Sequence, residues 1–206
     1  MKKILVFIFL VTTLNAVDIS NFDIKGIGLG DKYSEVKDIL PCNNLNGTEK
    51  LQNGNFSKYY LNCNNYFIEF DIKKRIMSIH REIKFSVKPN FKKIKQKLFK
   101  KYGNPTQVVL SKTDYRNTQR GYSEVLYWGY KKRKVKRSEG YFNGYEFSSY
   151  PKKKLEAIIN SYGDSDFSLT LDLVDYNMVE QNYDYTEKMN REFKTKIKEK
   201  ESNIDL

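Results

Sequence analysis

Histidine occurs once and cysteine twice in this chain, and the longest apolar run, Ile4 to Val11, is far too short to cross the roughly 30 Å of a bilayer's hydrocarbon. With a mean hydropathy of −0.69, a multi-span membrane protein is excluded. One His and two Cys cannot complete a tetrahedral zinc site without carboxylates. Four Pro, 11 Gly and the lack of a long heptad pattern exclude collagen-like and coiled-coil classes. HExxH, the nucleophile elbow and catalytic-Cys patterns are all missing. Gly26, Gly28 and Gly30 are spaced GxGxG, with no P-loop Lys-Ser/Thr behind them, and read as a tight turn. No cofactor, no metal and no catalysis are expected, although a hydrolase working through scattered carboxylates remains an alternative.

What is present is charge and aromatic surface. Against 25 Asp+Glu stand 37 Lys+Arg, a formal +12 over 206 residues. Sixteen Tyr and 13 Phe provide ample material for a core, so the chain is not disordered. At about 150 residues per domain, the length allows one domain or two small ones.

Residues 1–16 have the layout of a secretory signal peptide: Lys2 and Lys3, the apolar run, then small and polar residues ending at Ala16. Cleavage there would remove two Lys and no acid, leaving +10 and a periplasmic or secreted protein. No Cys near that point offers a lipid anchor, and no membrane span follows it. An even Cys count in an exported chain predicts one disulfide, Cys42 to Cys63, worth about 3 kcal/mol by loop entropy. Two separate buried thiols are the other reading.

Periodicity predicts a strand at 22–27 and a helix at 32–40, capped by Asp31 and stopped by Pro41. A meander follows: 56–62, 66–72 and 76–85. In its second strand Tyr66, Ile68 and Phe70 share a face. In its third, Ile79, Ile83 and Phe85 oppose Ser78, His80, Glu82 and Lys84, which makes His80 a solvated surface residue. Asn90 caps a second helix, with Phe91, Ile94, Leu98 and Tyr102 as its stripe and Gly103 as its stop. Strands are then predicted at 106–110, 122–130, 141–147, 155–161 and 167–176, the fourth with helical character as an alternative, and a charged helix at 185–199. The expected class is α+β, with two helix-plus-antiparallel-sheet units in tandem and a C-terminal helix. The units would be 17–88 and 89–180, and the helix and tail 181–206.

The run Gly26-Ile27-Gly28-Leu29-Gly30-Asp31-Lys32-Tyr33-Ser34-Glu35-Val36, closed by Leu40-Pro41, resembles a bacterial envelope pattern of Gly before a short helix carrying Glu-Val. It is similar to the repeat shared by small accessory lipoproteins of outer-membrane β-barrel assembly and the β-lactamase inhibitor proteins. Leu98-Phe99-Lys100-Lys101-Tyr102-Gly103-Asn104-Pro105 resembles the helix exit of a second such unit. The resemblance implies a two-unit periplasmic protein and carries no particular partner.

One run stands out for function. Lys131, Lys132, Arg133, Lys134, Lys136 and Arg137 are six bases in seven residues, with Trp128 just before them as a stacking surface. Together with the net charge they suggest an acidic partner. The first reading is an envelope module that binds a protein's acidic surface through a concave sheet. The alternatives are capture of nucleic acid or lipopolysaccharide by the run at 131–137, an immunity-type inhibitor of a toxin, or a run that is only a solvated loop.

Overall fold

A computed structural model describes residues 19, 21–40, 59–115, 119–129, 152–163 and 166–202. In chain order the elements are β1 (Asp23–Ile24), β2 (Ile27–Gly28), α1 (Tyr33–Val36), β3 (Tyr59–Cys63), β4 (Tyr66–Phe70), β5 (Ile76–Phe85), α2 (Phe91–Tyr102), β6 (Gln107–Tyr115), β7 (Gln119–Trp128), β8 (Lys153–Tyr162), β9 (Asp166–Asp175) and α3 (Tyr176–Ser202). The class is α+β. Seven strands form one antiparallel sheet in the order β3-β4-β5-β9-β8-β7-β6, and β1 pairs only with β2. The two strand runs therefore meet inside a single sheet, along a seam from Ser78↔Val174 to Phe85↔Phe167.

Period-two alternation gives that sheet two unlike faces. One row of facing residues crosses six strands: Leu61, Ile68, Ile79, Leu173, Leu155 and Trp128. Each is at most 1% exposed. Full burial of one such side chain stabilises by about 1.5–3 kcal/mol. Val36 and Leu40 from α1 and its exit, Ile24 and Ile27 from the β1–β2 hairpin, and Leu98 and Tyr102 from α2 join this core. Tyr102 fixes the packing with an edge-on contact to Trp128, centroids 5.9 Å apart, and its hydroxyl donates to Asp23 O at 2.7 Å. Trp128 Nε1 donates to Gly103 O at 3.0 Å, so α2 cannot shift along the sheet without breaking a buried bond.

Several boundaries depart from the sequence expectation. Lys25 and Gly26, both with positive φ, fold the strand expected at 22–27 into a hairpin. Asp31 does not cap α1; its Oδ2 accepts the Gly28 N–H at 2.7 Å. Glu35 Oε2 accepts the Lys32 N–H instead, and regular α-helix ends at Val36. Asn90 does cap α2, accepting the Lys93 N–H at 3.0 Å. The segment at 155–161 is strand, paired with β9 throughout. The C-terminal helix begins at Tyr176, within the last predicted strand and ahead of the expected boundary at 181. Asp175 stops β9 and starts α3 by accepting the Met178 N–H at 3.1 Å. The strand expected at 141–147 and the leader expected at 1–16 lie outside the described residues.

Candidate functional site

α2 carries six lysines and no acid in 12 residues. At 100° per residue, Phe91, Ile94, Leu98, Phe99 and Tyr102 fall on the side that meets the core. Two lysines on or beside that side are committed. Lys95 reaches down to Glu124, its Nζ 3.0 and 3.1 Å from the two carboxylate oxygens. Lys101 Nζ lies 2.8 Å from Asp23 Oδ1. Burial alone would raise the Asp23 carboxyl, but Lys101 and the Gly26 N–H outweigh it, and its pKa sits below the ordinary value.

The other four, Lys92, Lys93, Lys97 and Lys100, are exposed. They fall within an arc of about 140°, with Gln96 among them. None makes an ion pair among the described residues. Amphipathic spacing thus produces two lysine classes on one helix: two spent on the fold and four presented to solvent.

The sheet face away from the core is polar. Its central row crosses all seven strands: Asn62, Phe67, His80, Asp172, Glu156, Tyr127 and Gln107. His80 is not simply solvated as the sequence suggested; its Nδ1 lies 2.6 Å from Asp172 Oδ1, an oriented pair contributed by β5 and β9. Ser78, on the same face of β5, donates its hydroxyl to Glu69 Oε2 at 2.7 Å. Lys154 Nζ donates to Glu156 Oε2 at 2.8 Å. The dyad therefore has an orienting carboxylate, while the nearest serine on its strand is committed elsewhere. That arrangement holds a histidine in place; it does not assemble a nucleophile, base and carboxylate in sequence.

Lys131, Lys132, Arg133, Lys134, Lys136 and Arg137 lie outside the described residues, as does Cys42. Cys63 is the last residue of β3. Trp128 is a correction: it is fully buried against α2 and cannot stack on a ligand, because β7 alternation turns it to the core side of the sheet. The Gly26 and Gly30 positions have φ of 80° and 89°, as a tight turn requires. Compared with known proteins, the chain matches no family, no curated protein and no solved structure.

Proposed function

We propose that this chain is an exported binding module of the cell envelope, working without catalysis, that engages an acidic protein surface through the lysine face of α2. The observation that carries the reading is the set of four exposed lysines, without an ion pair among the described residues, on a helix with no acid of its own. Such a face speeds encounter with an acidic partner and loses its pull as salt rises. The leader at 1–16 supports export, and the resemblance at 26–41 and 98–105 supports an envelope location. The basic run at 131–137 adds to the chain's net positive charge.

The test is a crosslinking pull-down of tagged mature protein from its own envelope, washed at low and high salt, beside a variant with Lys92, Lys93, Lys97 and Lys100 all changed to Gln. The expected result is one discrete protein held by the parent. In the variant, affinity for it should fall about tenfold or more, at roughly 0.2–1 kcal/mol per exposed charge. Equal capture by both proteins would remove α2 from the interface. Recovery of only salt-labile nucleic acid or lipopolysaccharide would replace the reading with polymer capture by 131–137.

Export has its own check. Intact mass of the mature protein should begin at Val17 and be two hydrogens lighter than the reduced chain. It should take up no alkylating agent until reduced. Two thiols that alkylate without reductant would rule out the Cys42–Cys63 bridge.

A further inference from the structure

A cleft of about 210 Å³ opens where the β4–β5 turn meets the first turns of α3. Its floor is a locked turn. Asp71 Oδ1 accepts the N–H groups of Lys73 and Arg75 at 2.8 and 2.9 Å. Asp71 Oδ2 accepts from Arg75 Nε at 2.8 Å and lies 2.6 Å from Arg75 Nη2. The one carboxylate lining the cleft is therefore saturated, and it cancels Arg75 charge for charge.

The opposite wall is fixed by Asn182. Its Oδ1 accepts the Ile72 N–H at 3.0 Å, so the amide NH₂ is its unspent end. Lys73 also lines the cleft and makes no ion pair among the described residues. The Arg75 Nη1 group likewise makes no hydrogen bond among the described residues. Tyr185 adds a half-exposed phenol, and Met178 and Ile72 supply apolar wall. What remains unspent in the lining is a net positive charge and a set of donors.

We infer that this cleft is a binding site for a compact oxyanion, a phosphate or carboxylate group carried on a small ligand. Lys73, Arg75 Nη1 and the Asn182 amide are its donors, and Met178 packs against the ligand's stem. A cleft of about 210 Å³ has room for such a group with a few atoms behind it. The site is separate from the α2 face and stands whether or not that face binds a protein.

The experiment is an amide-shift titration of the whole chain with inorganic phosphate, and separately with acetate, at constant ionic strength. Phosphate should shift the amides of 72–75 and 181–185 along a saturating curve. Lys73→Gln removes a cationic donor. Asn182→Asp keeps the acceptor for Ile72 but puts a carboxylate oxygen where the donors were. Each should weaken binding about tenfold, while Lys84→Gln, far along β5, should leave it unchanged. Saturation by acetate as well would make the site general for oxyanions; saturation by phosphate alone would make it a phosphate site. Linear, unsaturating shifts, or binding unaltered in both cleft variants while their thermal unfolding matches the parent, would overturn the inference.

Discussion

Taken from neutral pH toward 12, the protein is expected to unfold cooperatively, beginning near pH 10. Five groups hold their protons more tightly in the fold than an open chain does. Burial pushes the Tyr66 phenol up, against the pull of Arg81. Burial and then the Asp23 charge push Tyr102 well above its usual range. Tyr122 is pushed up to about 12 by burial and by its 2.8 Å hydrogen bond to Glu124. Burial and Glu156 raise Tyr127. Burial opposes the charge on Lys154, but Glu156 and Tyr176 outweigh it and hold its proton above the ordinary lysine range.

The sign is the same for all five. Below about pH 10 both states keep these protons and the stabilisation is complete. Above it the unfolded chain releases them first, so stability falls as pH rises. Each group adds up to about 1.4 kcal/mol per pH unit. All five act in the same direction, against a typical total stability of about 5–15 kcal/mol. Circular dichroism and tyrosinate absorbance, followed together, check this. The buried phenols should ionise in the same narrow interval in which the fold is lost. Smooth ionisation around pH 10 with the sheet intact would contradict it.

The second large effect separates one lysine of α2 from its neighbours. Lys95→Met is expected to cost on the order of 3 kcal/mol in urea unfolding, because it strands the Glu124 carboxylate, only 5% exposed, with the Tyr122 hydroxyl as its remaining partner among the described residues. Lys97→Met, two residues on and exposed, should fall within about 0.5 kcal/mol of the parent. Replacing both members, Lys95→Met with Glu124→Leu, should recover most of the loss, since no buried charge is then left alone. Equal costs for Lys95 and Lys97 would erase the distinction between structural and presented lysines on which the functional reading rests.

The β5 and α2 bounds were legible because a strict period of two, and an Asn cap with a Gly stop, are local signals. The same locality explains what was missed. His80 and Asp172 each sit on the polar side of a clearly alternating strand, but nothing local says that β5 and β9 are neighbours. A dyad made across that pairing is invisible until the register is known. Trp128 was misread because a basic run after an aromatic cluster suggests stacking, whereas the β7 register sends that ring inward. The cleft at the β4–β5 turn was missed for a related reason. Lys73 and Arg75 look like ordinary turn residues until α3 starts at Tyr176 and brings Asn182 to them.

The β5–β9 seam also sets an order of events in time. Ser78 must wait for Val174, so the inner edge of the first meander stays open until nearly the whole chain has been delivered. Pairings of such long sequence separation form slowly, and an open strand edge invites the wrong partner while it waits. A chain threaded across a membrane from its N-terminus would present the inner edge of β5 unpaired on the far side for most of its passage. The last strand is therefore the closing step of assembly, and truncation before β9 would leave a sheet with an unprotected middle rather than a smaller intact domain.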